Sequence, residues 1–314
     1  MKEKIDKAMI ALATPVLQKL VWAGRDTRGA IQDAGLNVIP SNFYSSIPSI
    51  KDVMESFEYS GDIPYLDERI FNASRLQAKL ESLVSYAVDF DPPVDGDENT
   101  CTSYFWKNSQ FSYSDATAYY AFLRKIRPKH VVEIGAGFSS LVALEAIKAN
   151  SCGRLTCIEP YPRPFLENND EIVLIKKRAQ DIGADELNAL LSDGDVLFID
   201  STHTVKSGSD CLHIYLRLIP EIRRNIFIHV HDIFLPFGMP QDWLLDLQIH
   251  WTEQYLLLAW MTDNPYVSVL FGSAYNMKFN LDLMEKLMHK RYPPGGGSFW
   301  LEYRGSQKFA GDTQ

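Results

Sequence analysis

The sequence predicts an α/β fold: a mostly parallel sheet with helices on both faces, preceded by a helical N-terminal extension. Three observations predict it. Short β-branched runs at His130–Ile134, Leu155–Ile158, Ile172–Ile175, Val196–Ile199 and Ile226–Val230 alternate with helical patterns near 139–149, 183–191 and 204–219. Such alternation requires crossover connections, which set successive strands parallel. The runs are apolar almost throughout, as strands buried on both faces must be. Residues 1–88, by contrast, carry helical periodicity and loop signals without a strand-like run.

Taken in order, the first segment is Met9-Ile-Ala-Leu-Ala-Thr-Pro-Val-Leu17, which has the texture of a signal-peptide core. Glu3 and Asp6 stand where a leader would be basic, and Ile5, Met9, Leu12, Val16 and Leu20 repeat at helical spacing. The expectation is an amphipathic helix, with Thr14-Pro15 opening a fresh one. No run reaches the ~18 apolar residues of a membrane span, so a cytoplasmic protein without a membrane partner is expected. Pro40, Pro48 and Pro64 punctuate the next segment, around the aromatics Asn42-Phe43-Tyr44. A longer helical pattern then runs through Leu66, Ile70, Leu76, Leu80 and Leu83. The stretch 89–98 holds five acids and two prolines. It lacks EF-hand spacing and reads as a solvated linker, which sets a boundary. The expected organisation is a helical cap over 1–100, a core over 101–304 and a polar, frayed tail over 305–314. Within the core, the fifth strand is followed by a helix near 251–262, a strand at 266–271 and a helix near 281–290. The last strand, Ser298–Tyr303, follows the Pro-Pro-Gly-Gly-Gly turn at 293–297.

Composition narrows the partners. The chain of 314 residues carries 31 Lys+Arg against 40 Asp+Glu, a net charge of −9, and no basic stripe. That excludes a phosphate backbone as partner. Four scattered cysteines are too few for a disulfide scaffold or a zinc knuckle and fit a reducing compartment.

Ligands of an open parallel sheet sit beyond the carboxyl ends of its strands. The first strand runs into Glu133-Ile-Gly-Ala-Gly137 and then a helix, so Gly135 and Gly137 permit a tight turn and a close ligand approach beneath a helix N-terminus. A dinucleotide fingerprint would want glycine where Ser140 stands, and an acid at Glu133 would repel a pyrophosphate. That acid suits a cationic amine instead. Glu159, at the end of the second strand, can accept both hydroxyls of a ribose. Arg178-Ala-Gln-Asp181 follows the third strand, placed for an adenine edge. A nucleoside with an amino-acid tail and no phosphates is S-adenosylmethionine.

On these motifs, with Val196-Leu-Phe-Ile-Asp200, residues 110–304 resemble the class I S-adenosylmethionine-dependent methyltransferases. The resemblance implies a Rossmann-like, seven-stranded sheet whose seventh strand is antiparallel, which Ser298–Tyr303 would supply. It implies cofactor contacts from Glu133, Gly135, Ala136, Gly137, Glu159, Gln180, Asp181 and Asp200, with Ala179 beside them. A bacterial subgroup of that family carries His-Asp-Ile-Phe-x-Pro followed by Trp-x-Glu-Gln, matched here from His231 to Pro236 and from Trp251 to Gln254. The resemblance names a reaction and no substrate.

The acceptor side is read from the fourth and fifth strands, which end in Asp200-Ser-Thr-His203 and His229-Val-His-Asp232. Adjacent strands are about 4.8 Å apart, so Asp200 and Asp232 should face each other with His203 and His231 beside them. In one reading a histidine is the general base that deprotonates a hydroxyl acceptor, His203 first and His231 second, with Asp200 in support. In the other, Asp200, Asp232 and His203 hold a divalent metal that acidifies a diol. The His231-Asp232 pair, where sugar methyltransferases carry two acids, counts against the metal. Tyr113, Trp251, Glu253 and Gln254 are the candidate acceptor contacts, for a small molecule or a glycan, and the N-terminal residues form a lid or a homodimer contact. The rival class is a non-catalytic cofactor-binding or assembly protein on the same fold.

Overall fold

The computed structural model describes residues 2–111 and 113–309. The chain forms two compact units, Met1–Ser56 and Phe57–Gln314. The division thus falls well before the acidic segment 89–98, where composition sets a boundary. Residues 57–100 belong with the sheet because their helix supplies apolar side chains to its core.

The first unit contains α1 (Lys2–Val21), α2 (Arg25–Asp33) and α3 (Ile50–Met54). The expected break at Thr14-Pro15 does not occur: α1 passes through Pro15, and Thr14 Oγ1 donates to the Ile10 carbonyl at 2.7 Å. At α3, Ser49 and Asp52 form a reciprocal capping box. Val53 is the one buried side chain among this unit's described residues.

In the second unit, α4 (Ala73–Ala87) begins behind the Asn72 cap, so Leu66 and Ile70 lie outside the helix expected to include them. Its buried stripe is Leu76, Leu80, Leu83 and Ala87, the i, i+4, i+7, i+11 face of an amphipathic helix. The core follows as α5 (Tyr113–Ile126), β1 (His130–Ile134), α6 (Phe138–Asn150), β2 (Arg154–Ile158), α7 (Pro164–Glu167) and β3 (Ile172–Ile175). Then come α8 (Ala184–Leu190), β4 (Val196–Ile199), α9 (Asp210–His213), β5 (Asn225–Val230), α10 (Gln241–Leu245) and α11 (Glu253–Met261). The chain continues with β6 (Val267–Gly272), α12 (Ser273–Phe279), α13 (Leu281–Leu287), β7 (Phe299–Arg304) and α14 (Gly305–Phe309). The single helix expected over 204–219 is instead the short α9, a π-helical turn over 214–218 and a 3₁₀ turn ending before Ile222. The tail expected to fray from Gly305 forms α14, and residues 310–314 lie outside the described residues.

The seven strands lie in the order β3-β2-β1-β4-β5-β7-β6. The first five are parallel, and β7 runs antiparallel between β5 and β6. The sheet is therefore the Rossmann-like, mostly parallel one expected. Alternation splits its side chains between two cores. Val131, Phe198 and Trp300 join Tyr119 and Phe122 of α5 on one face; Val132, Leu197, Ile228 and Leu301 join Tyr215 and Leu257 on the other. The order reverses between β1 and β4, opening a crevice beyond their carboxyl ends. No helix among the described residues is long and apolar enough to cross a membrane.

Candidate functional site

A cleft of about 430 Å³ occupies that crevice. One end is backbone. Gly135, at φ +82°, is wedged against β4: a Cβ there would lie 1.7 Å from the Asp200 carbonyl oxygen. Its N–H donates to the Ile158 carbonyl at 3.0 Å, and Asp200 N–H donates to the Ile134 carbonyl at 2.9 Å, so the turn is tied to the ends of both neighbouring strands. Above Gly137 a Cβ would meet nothing within 4 Å, and no side chain caps α6. The helix's first N–H groups therefore face the cleft with room for a ligand. Glu159 closes this end, accepting from Tyr161 N–H at 2.8 Å and Ala136 N–H at 3.3 Å. A second hollow of about 310 Å³ continues past Glu159 along Ala179 and Gln180, with Asp200 lining both spaces.

Two residues expected to contact ligand lie elsewhere. Glu133 is fully buried beneath the loop, accepting from Tyr119 at 2.8 Å and from Ser140. Burial raises its carboxyl to about 7 against the hydrogen bonds that favour the charge. It braces the loop from below. Asp181 points away into a two-pronged pair with Arg178 at 2.8 and 2.9 Å. Its neighbour Gln180 lines the hollow and donates to the Gly208 carbonyl at 3.2 Å.

The other end is made of side chains. His203 lies with Nε2 at 3.1 Å from Asp200 and 3.8 Å from Asp232, and with Nδ1 at 2.8 Å from Glu253. His231 lies with Nδ1 at 3.6 Å from Asp200 and 3.5 Å from Asp232, and with Nε2 at 3.4 Å from Asp115. Both His203 and Asp232 adopt left-handed backbone, φ +55° and +53°, a conformation that side-chain-bearing residues hold only where surroundings enforce it. For His203 the enforcement is visible: its carbonyl accepts from Thr252 and Glu253 N–H at 2.8 and 3.0 Å, and Trp251 lies against its ring at 4.3 Å.

Charge follows from this crowding. Burial alone would strip the proton from His203, but Asp200 and Glu253 outweigh it and raise the imidazole to about 10. The same contest, won by Asp232, Asp200 and Asp115, raises His231 well above its ordinary value. Asp200 is held well below the usual carboxylate range, since His231 and His203 overcome its burial. His229, sealed in the sheet against Ser298, is pushed down to about 3 by burial and by the neighbouring His231. With its proton held by Asp200 and Glu253, His203 favours hydrogen-bond donation at neutral pH, whereas the expectation gave it the role of general base.

Asp200, His231 and Asp232 each offer a ligand atom within 4.8 Å of the others. His203 is not in that set, because its Nδ1 is engaged by Glu253 and its Nε2 by Asp200; His231 takes the place assigned to it. Of the expected acceptor contacts, Trp251 lines the cleft and Tyr113 does not, its ring lying 4.6 Å from that of Tyr292 and tilted 36° to it. Glu253 and Gln254 are buried. Glu253 accepts from Tyr215 at 2.8 Å while holding His203; Gln254 accepts from Phe234 N–H and donates to the Phe237 carbonyl. They shape the wall of the cleft from behind. Ser109, Gln110 and Phe111 line it as the approach to α5, and Ser112, of the same segment, lies outside the described residues.

Sequence reasoning found the glycine turn at 293–297 but missed Asp115 and the contact between the two. Asp115 is buried in the first turn of α5, accepting from Ser298 N–H at 2.9 Å and Gly297 N–H at 3.2 Å. Cβ atoms on Gly296 and Gly297 would strike Asp115 and the Asp232 backbone. An acid in a helix's first turn is ordinary dipole chemistry, so only three-dimensional contact distinguishes this one.

Residues 132–233 match a family model described as a methyltransferase domain. An uncharacterized protein of Archaeoglobus fulgidus is 37% identical over 132 residues, which are 40% of this chain and 60% of that protein. The chain thus spans about three fifths of the length of the curated relative it matches. Among solved structures, an O-methyltransferase from Bacillus cereus in complex with SAH is 12% identical, covering 72% of this chain and 90% of its own, with a TM-score of 0.38. The Streptomyces achromogenes O-methyltransferase TomG, in complex with SAM, is 15% identical over 73% and 88%, with a TM-score of 0.37. Likenesses this loose bear on neither activity nor substrate.

Proposed function

We propose that this chain is an S-adenosylmethionine-dependent methyltransferase acting on oxygen of a small or carbohydrate-like acceptor. The observation that carries the reading is continuity: a single cleft joins an open glycine loop and a strand-end glutamate to a cluster of two aspartates and two histidines. The domain match over 132–233 supports the same reaction class. Gly135, Gly137, the first N–H groups of α6, Glu159, Ala179 and Gln180 would hold the cofactor. When bound, it supplies an electrophilic methyl group.

The chain's own residues prepare the acceptor. His203 and His231, both cationic, hold Asp200 in its ionised form. Asp200 would accept a hydrogen bond from the acceptor hydroxyl and orient it, and Asp232 beside it would take up the hydroxyl's proton as the methyl group is transferred. Trp251 and Phe111 give that end apolar walls that exclude water. A second reading is favoured by the spacing of Asp200, His231 and Asp232. Asp115 behind His231 Nε2 leaves Nδ1 facing the two aspartates, the arrangement by which a carboxylate orients a metal-binding histidine. A divalent cation held there would supply Lewis acidity.

Calorimetry with S-adenosylmethionine and with its demethylated product tests the cofactor claim; no heat with either, from folded protein, removes it. Mass spectrometry of products from a panel of glycans and phenols tests the acceptor class. Turnover that survives exhaustive EDTA treatment removes the second reading. Cofactor binding without methylation across the panel would turn the assignment toward a non-catalytic binding protein.

A further inference from the structure

We propose that α1 lies along an anionic lipid surface. Residues 6–19 are exposed on every side, with Met9 at 63%, Leu12 at 80% and Val16 at 56% of their full accessibility. At ~100° per residue, over residues 6–21 of the helix, Met9, Ile10, Leu12, Ala13, Val16, Leu17, Leu20 and Val21 fall in one half of the circumference, interrupted by Asp6, with Lys2 of the first turn at the same angle as Leu20. Lys7, Ala8, Ala11, Thr14, Gln18 and Lys19 fall in the other.

The width of that arc decides between occupants. A helix that pairs with a second copy needs only a narrow seam, whereas a helix half-immersed in a flat interface needs an apolar half-cylinder. Charge points the same way. The helix has four lysines against two acids, inside a chain of net charge −9; an anionic surface attracts this segment. The first unit also exposes the residues that favour a lipid–water boundary: Trp22 at 78%, Phe43 at 87% and Tyr44 at 84%. A hollow of about 470 Å³ at the end of α1, lined by Trp22, Ile31 and Ile39 with Arg28, offers a place for an anionic head group. Because α1 is too polar to span, it would rest on the surface. This departs from the expectation of no membrane partner, which rested on the absence of a span.

The test is co-sedimentation of the full chain with phosphatidylcholine vesicles, with and without roughly a third phosphatidylglycerol. The protein should pellet with the anionic vesicles and release as salt rises. Leu12→Glu with Val16→Glu should weaken binding by more than about tenfold, while cofactor calorimetry stays that of the parent and certifies folding. Lys7→Glu with Lys19→Glu should remove most of the salt-sensitive part. Failure of the parent to pellet overturns the proposal, as does undiminished binding by the Leu12/Val16 variant. So does a parent dimer, without lipid affinity, that this variant converts to monomer, since the arc would then belong to a second copy.

Discussion

The two ends of the cleft are built from different materials. At the end proposed to hold the cofactor, the cofactor end, the parts are mostly backbone: a glycine wedged between strands, uncapped N–H groups of α6, and one carboxylate fixed by two amide donors. At the acceptor end, so named from the proposed function, they are six side chains from four places in the chain: Asp115, Asp200 and His203, His231 and Asp232, and Glu253. The first end is rigid because peptide geometry makes it so. The second is rigid because oppositely charged groups crowd one another, each fixing the next.

That contrast can be broken by substitution, the largest effect first. Gly135→Ala places a Cβ 1.7 Å from the Asp200 carbonyl oxygen in a left-handed backbone. A loss on the order of 4 kcal/mol in denaturant unfolding is expected, together with cofactor heat. A stable, ligand-binding Gly135→Ala would show that the loop is not the wedge described.

Next comes the brace beneath the loop. Glu133 has its carboxyl at about 7 in the fold against an ordinary 4.5. The folded state therefore binds the extra proton between those values. This contribution is fully present below pH ~4.5 and is lost as pH rises through about 7, to a total of about 3 kcal/mol. Glu133→Gln should flatten that fall in melts recorded across the window. An unaltered slope would mean that the carboxyl is not the source.

At the acceptor end, Asp115→Asn should leave cofactor affinity alone and lower turnover by about 10- to 100-fold, because His231 loses the partner that orients it. Equal losses in binding and turnover would merge the two ends into one. The smallest change is Gln180→Ala, expected to weaken cofactor binding about two- to threefold, read by the same calorimetry. An effect beyond about tenfold would make the cofactor end a side-chain site after all.

The same contrast explains what could be read in advance. The β1–loop–α6 unit and all seven strands were legible, because apolar runs and glycines are local signals that fix local geometry. Glu159 was legible for the same reason, being defined by its distance from a strand end. Glu133 was visible but misassigned: sequence placed it beside the loop and could not say on which side. His203 was legible as a cleft residue but its charge was not, since that depends on Asp200 and on Glu253, fifty residues downstream. Asp115 was illegible, because its role arises only when the turn before β7 settles on it. The first unit's limit was misplaced because the acidic segment looks like a linker, while the burial of α4 is a tertiary fact.

That turn has a consequence for variation. Pro293 to Gly297 feeds β7, the strand whose reversed direction brings a chain return to the acceptor end, and Gly296 and Gly297 leave no room for a side chain against Asp115 and Asp232. The loop's sequence is thus tightly constrained at two positions, while a Cβ on Gly295 would meet nothing within 4 Å. Residues grafted at Gly295 would project without displacing the charged cluster. The turn can therefore vary at Gly295, while the glycine pair stays fixed as the anchor of Asp115 and Asp232.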